Sequence, residues 1–368
     1  MINRFAFLLI IIIPYTAILG CSKNDLTIEE RQDADTVYVY NSQIYTEIVY
    51  SPGHTVSFLK KYDNPVIQDN LADPSIIKAS NGVFYLYTTE SSNIPNVPIY
   101  KSIDLVNWYF VGSAFDDSTR PKSFPGNIWA PDINFIDGRY VMYYSMSQWG
   151  GSQECGIGVA ISDYPYGPFE DYAAFFDSRS IGVPNSIDPF FIENEDGKFL
   201  FWGSHGGIYG IRLSDDGLSV MRGAKKFQIA GRKGEGTYIH RHGDYYYLFV
   251  SVGSCCNGIS STYHIAYGRS PNIEGPYYDK TGCSMIEGEG SLLLKGNDFS
   301  VGTGHNAEFI TDDSGDDWII YHGYLKANPQ LGRIIFLDRI NWEDDWPYIV
   351  NDSPSRSSVI PFFKNNTN

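Results

Sequence analysis

One short programme occurs five times along this chain, with copies that start near Asp73, Asp132, Asp188, Glu235 and His305. An acidic or polar residue opens a brief apolar run, a tight turn follows, and an aromatic-rich strand then ends in small polar residues. In the first copy Asp73-Pro74-Ser75-Ile76-Ile77 passes through Asn81-Gly82 into Val83-Phe84-Tyr85-Leu86-Tyr87-Thr88-Thr89. Asn-Gly between two β-forming runs is a strong hairpin signal, because both residues accept the positive φ of a type I′ turn. The later copies turn at Asp137-Gly138, Asp196-Gly197, His242-Gly243 and Ser314-Gly315, and third strands follow, such as Gly156-Ile157-Gly158-Val159-Ala160. No such unit can bury both faces alone. Repeats of roughly 50 to 70 residues with several strands each indicate an all-β radial array, here a five-bladed β-propeller. Its inner strands converge on a central pit, which would place Asp73, Asp188 and Glu235 around one centre. No long stretch carries a helical period, so helices should be few and short.

Composition narrows the function classes. The net charge of -16 argues against a nucleic-acid partner or an anionic membrane surface, both of which require positive charge. The 28 Tyr, 22 Phe and 7 Trp suit strands and supply flat surfaces on which sugars stack, although most must be core. At the N-terminus Arg4 precedes an apolar run that ends in Ile18-Leu19-Gly20-Cys21, which resembles a bacterial lipobox. Residues 1–20 then read as a lipoprotein signal peptide, residues 21–64 as a tether and N-terminal segment, and residues 65–363 as the propeller. Membrane contact would come only through a lipidated Cys21, at the outer membrane or elsewhere in the bacterial cell envelope. Of the remaining cysteines, Cys155, Cys255, Cys256 and Cys283, no pair has zinc-site spacing. The adjacent Cys255 and Cys256 are not expected to bridge to each other.

Three carboxylates around a pit suit one reaction in particular. Glycoside hydrolysis needs a carboxylic acid to protonate the leaving oxygen and a carboxylate on the opposite side of the sugar. A third acid can tune the first by charge and burial. A lone Asp-Pro at a strand start usually only caps a turn. Its recurrence at matching places, with Glu in the fourth copy, points beyond turn chemistry.

The motifs Ala72-Asp73-Pro74-Ser75, Asn127-Ile128-Trp129-Ala130-Pro131-Asp132, Ser186-Ile187-Asp188-Pro189, Ser254-Cys255-Cys256-Asn257-Gly258, Ile273-Glu274-Gly275-Pro276-Tyr277 and Gly302-Thr303-Gly304-His305-Asn306 stand in an order that resembles glycoside hydrolase family 43, most closely its arabinan-degrading members. That resemblance implies a five-bladed propeller and an inverting cleavage of α-1,5-linked L-arabinan or arabino-oligosaccharides from plant cell walls. It implies Asp73 as general base, Glu235 as general acid, Asp188 as the carboxylate that tunes and orients the acid, and Trp129 as a sugar platform. It further implies Ser204 on the substrate floor and His305 beside a central calcium, or sodium, ion held largely through water. Two departures flank the carboxylates. Ala72 stands where endo-acting members carry His, and Gly236-Thr237 follows Glu235 where an apolar-Pro pair is typical. Endo or exo action therefore stays open, with residues 91–97 and 225–234 the loops suspected of shaping the cleft. Another family 43 activity, α-L-arabinofuranosidase or β-xylosidase, is the alternative. A non-catalytic glycan-binding propeller is a further one, against which the intact acid trio speaks.

Overall fold

The computed structural model describes residues 36–40, 44–49 and 57–364. Residues 1–20, read above as a signal peptide, and Cys21 lie outside them. Three antiparallel strands, Thr36–Tyr40, Ile44–Val49 and Ser57–Asp63, come first in the chain. The remainder, from Asp63 onward, is a separate compact unit.

That unit is a five-bladed propeller whose blades are antiparallel meanders. The innermost strands of blades one to four are Ala72–Lys78, Asn127–Ile136, Phe190–Asn194 and Gly234–His242. In blade five the inner edge is split between Ser300–Gly304 and Ile310–Thr311, both paired with Asp317–Leu325. The expected continuous strand from His305 is thus interrupted, and residues 305–309 run between the two pieces. The circle closes where Asn64 exchanges hydrogen bonds with the backbone of Leu337 and Ile67 bridges Ile335. Among the described residues helix is limited to the four-residue Ser178–Ile181 and short 3₁₀ turns.

Second strands such as Phe84–Thr89 and Tyr245–Val252 are buried almost throughout, since both of their faces are covered by neighbouring blades. Hence they read as near-continuous apolar runs. Phe201, Tyr238, Phe249 and Phe309 belong to one cluster that joins blades three, four and five. Burying a ring of that size contributes roughly 1.5–3 kcal/mol.

Two rings of side-chain bonds fix blade to blade. The second strands carry Thr89, Ser145, Ser251 and His322 at or near their ends. Their side chains accept from the backbone N–H of Ala130 (2.8 Å), Asp188 (3.3 Å), His305 (2.7 Å) and Asp73 (3.1 Å) in the next blade. A little deeper, Ser75, Asp132, Tyr238 and Glu308 accept from the N–H of Ile133, Phe191, Phe309 and Ile76. The small polar strand ends visible in the sequence are therefore the fasteners of the propeller.

The structure also corrects the repeat frame. The inner strands of blades one, two and four carry a bulge near the centre, and the residues at positive φ at the corresponding places of the five blades are Asp73 (54°), Ala130 (41°), Asp188 (57°), Gly236 (62°) and His305 (48°). Asp132 lies two residues past this point in its blade, in register with Ser75, and Glu235 lies one residue before it, in register with Trp129. Blade two thus offers Ala130 where blades one and three offer a carboxylate.

Candidate active site

A cavity of about 610 Å³ opens at the end of the propeller where the inner strands begin. Blades one, three and four line it with Asp73, Asp188 and Glu235, blade two with Trp129, and blade five with His305 and Arg333. The sequence-predicted trio, the tryptophan and the histidine thus share one cavity.

Asp73 owes its place to the bulge, which turns its side chain out of the sheet. Thr89 donates to it at 2.6 Å, and Arg333, His305 and His322 bring nitrogens to its other oxygen at 3.3, 3.2 and 3.3 Å. Burial opposes its charge, but the Arg333 guanidinium, the two imidazoles and the Thr89 hydroxyl outweigh that and hold Asp73 well below the usual carboxylate range. Burial also lowers the pKa of His305 and, further, of His322, against the pull of Asp73. Arg333 is therefore the fixed cation beside this carboxylate.

Asp188 is 6% exposed and accepts from the N–H of Gly236 at 3.0 Å. Burial, followed by the charges of Glu235 and Asp73, raises its pKa well above the ordinary value. The same contact ties Asp188 to the residue that follows Glu235. Gly236 suits the position twice over: its φ of 62° is costly for other residues, and a Cβ there would stand 3.1 Å from the His305 ring.

Glu235 accepts from Ser204 at 2.7 Å and from Tyr263 at 3.0 Å, and the exposed His205 reaches within 3.9 Å. Ser204 itself is fully buried and does not line the cavity. Placed on the floor by sequence reasoning, it instead holds Glu235, because Asp188 has taken the Gly236 N–H that Ser204 would meet in the blade-to-blade pattern.

Sequence reasoning missed Arg333, His322 and Tyr263 as neighbours of the acids. His322 carried a signal, since it replaces the small hydroxyl residue at the end of a second strand. Tyr263 lies a few residues beyond the Ser254–Gly258 motif, whereas Arg333 had no local mark. The loops were also misjudged: the wall comes from Gln148, Trp149 and their neighbours and from Pro184 and Asn185, while residues 91–97 and 225–234 do not line the cavity. Trp149 is 80% exposed, an uncovered ring at the cavity edge. Finally, Cys255 and Cys256 are bridged to each other. Their loop is pinned by Ser254 N–H to Thr262, Asn257 N–H to Ser261, and Ser261 to the Cys255 carbonyl, which holds the two side chains together. Cys155 and Cys283 stay unpaired.

A propeller that gathers three differently held carboxylates and an aromatic ring in one cavity defines an acid–base enzyme of sugar chains. Residues 62–347 match the model of the glycosyl hydrolases family 43, and the chain belongs to that family. It is 35% identical to the extracellular exo-α-(1→5)-L-arabinofuranosidase of Cellvibrio japonicus over 77% of this chain and 87% of that protein. To the extracellular endo-α-(1→5)-L-arabinanase 1 of Bacillus subtilis it is 35% identical over 75% of this chain and 87% of the relative. Among solved structures, the Cellvibrio cellulosa α-L-arabinanase complexed with arabinohexaose superposes with a TM-score of 0.69 at 34% identity, covering 76% of this chain and 95% of the other.

Proposed function

We infer that the chain hydrolyses α-1,5-linked L-arabinan or arabino-oligosaccharides with inversion at the anomeric carbon. The observation that carries this reading is the unequal treatment of the three acids within one cavity. Asp73 is held ionised by Arg333 and serves as the base that takes a proton from the attacking water. Glu235, steadied by Ser204 and Tyr263, gives its proton to the glycosidic oxygen. Asp188 orients the Glu235 segment through Gly236 N–H and adds charge-dependent control of the proton. Trp129 provides a stacking face for a furanose ring.

Relatives named for exo and for endo action match this chain equally well, so the products decide the mode. Purified protein on debranched linear arabinan is expected to release arabino-oligosaccharides whose first-formed reducing ends are the β-anomer by NMR, and Glu235→Gln to release none. One fixed short product would assign exo action. An α-anomer would overturn inversion, and absence of turnover on arabinan, xylan and aryl arabinofuranosides would overturn the enzyme reading.

The donor set suits a hydrated cation, calcium or sodium, better than a dehydrated one. Calcium prefers oxygen ligands, and here Asp73 and Glu235 are already engaged by protein donors. His305 is kept neutral by burial, turns one nitrogen to Asp73, and remains 12% exposed to the cavity, which leaves its other nitrogen for an ion or its water shell. Such an ion would supply positive charge to a pit rich in carboxylates.

For location, the Arg4-led apolar run and Gly20-Cys21 support export and lipid attachment to the cell envelope through Cys21. The two relatives cited are named extracellular. Expressed in a bacterium, the chain should take up labelled palmitate and Cys21→Ala should not; equal labelling would refute the anchor.

A further inference from the structure

Blade four contributes three residues to the cavity: Glu235 and the bridged pair Cys255–Cys256. The two cysteines follow the second strand of that blade, Tyr245–Val252, and are partly exposed. A disulfide has no proton to donate and accepts hydrogen bonds weakly, so as a cavity wall it is an apolar, polarisable patch about two sulfur atoms wide. Its loop is held rigid: Ser254 also accepts from Asn257 at 2.7 Å, and its carbonyl accepts from the N–H of Thr262 and Tyr263. Tyr263 in turn donates to Glu235. One short stretch therefore supplies both a donor to Glu235 and a flat apolar part of the wall of the same cavity.

An arabinofuranose ring has a hydroxyl-bearing edge and a face of C–H groups. The hydroxyl groups need hydrogen-bonding partners, and the C–H face gains most against a surface that makes no polar demand. Trp129 offers one such surface from blade two. We propose that the Cys255–Cys256 disulfide is a sugar-binding platform that packs on the C–H face of the arabinofuranosyl unit on the leaving-group side of the scissile bond. The side follows from the partner, because Glu235 must reach the glycosidic oxygen, and the disulfide shares its blade and its supporting loop. The assignment rests on the arabinan-hydrolase reading above.

The platform works by binding and takes no part in the chemistry. Its loss should raise KM for linear arabino-oligosaccharides about tenfold, the equivalent of one good packing contact, while kcat falls by less than about threefold. The effect should be far smaller on an aryl arabinofuranoside, whose leaving group is not a sugar. The test compares the full chain before and after a phosphine reductant, with a thiol count to confirm that two new thiols appear, and after reoxidation. Cys255→Ser/Cys256→Ser, with its thermal midpoint, provides a second route to the same comparison. A KM rise confined to oligosaccharides and reversed on reoxidation supports the platform. Unchanged kinetics after confirmed reduction overturns it. A fall in kcat on both substrates at unchanged KM also overturns it, since the loop would then act only through Tyr263 and Glu235. Should the untreated protein fail to turn over arabinan, the functional reading fails instead, and that result is read before any reductant is added.

Discussion

Two groups of buried and half-buried carboxylates lie at the inner edge of this propeller, and their surroundings treat them in opposite ways. Asp73, Asp188 and Glu235 face the cavity. Asp132 and Glu308 hydrogen-bond to each other below it, and between them accept from Asn134, Phe191 N–H, Ser75 and Ile76 N–H. Asp132 and Glu308 thereby link blades one, two, three and five. The upper group has a guanidinium, Arg333, at 3.3 Å from Asp73, whereas only hydrogen bonds support the lower pair. Burial raises the pKa of both lower acids, and the charge of Glu308 raises Asp132 further, which favours a proton held between the two. On the proposed roles, what separates Asp73 from Asp132 is a nearby cation and an opening to the cavity, not the identity of the side chain.

The sharpest way to break this contrast is to remove one charge from each group. Asp73→Asn and Glu235→Gln should each lower kcat on arabinan by about 10²–10⁴-fold, the range for losing a positioned acid or base. Asp132→Asn, which keeps a donor for Glu308 and an acceptor for Phe191 N–H, should leave kcat within about threefold of the parent. If Asp132→Asn fell as far as Asp73→Asn, the division into chemical and structural acids would be wrong.

Much of this arrangement was legible beforehand, and the reasons for the exceptions are physical. Turn dipeptides and aromatic runs are local, so five blades could be counted from them, and Asp73, Asp188 and Glu235 could be set around one pit. Register was harder. The bulge adds one residue on one strand, and a shift of a single residue moves a side chain to the other face. Asp132 therefore looked like Asp73 in the sequence but occupies the place of Ser75. Arg333 reaches Asp73 across 260 positions of chain, a pairing that no local pattern encodes. The Cys255–Cys256 bridge was judged unfavourable from adjacency alone, because the hydrogen bonds that pin its loop come from Ser261 and Thr262.

A second change sharpens the role of the cation. A base works only when ionised, so with Asp73 held below the usual carboxylate range the acid limb that it sets in the activity profile lies low in the parent protein. Arg333→Met keeps the length and removes the charge. The acidic limb of kcat/KM should then move upward by about 1–2 pH units, since a close opposite charge is worth about that much to a carboxylate. An unmoved limb would assign the depression of Asp73 to Thr89 and the imidazoles instead.

The smallest effect concerns stability, where Asp73 and Asp132 pull in opposite directions with pH. Asp73 has a folded pKa below its unfolded value, near 4, so its contribution is fully present above that value and is lost as pH falls through the folded one. Asp132 has a folded pKa well above its unfolded value. Between those two values the folded chain holds a proton that the unfolded chain has released, so the contribution of Asp132 declines as pH rises, by at most about 1.4 kcal/mol per pH unit. Urea unfolding of the parent between pH 5 and 9 should therefore show stability falling toward alkali, by an amount that Asp132→Asn reduces. Parallel slopes for parent and variant would mean that the proton resides elsewhere, and that Asp132 and Glu308 reach their low-charge state without sharing it.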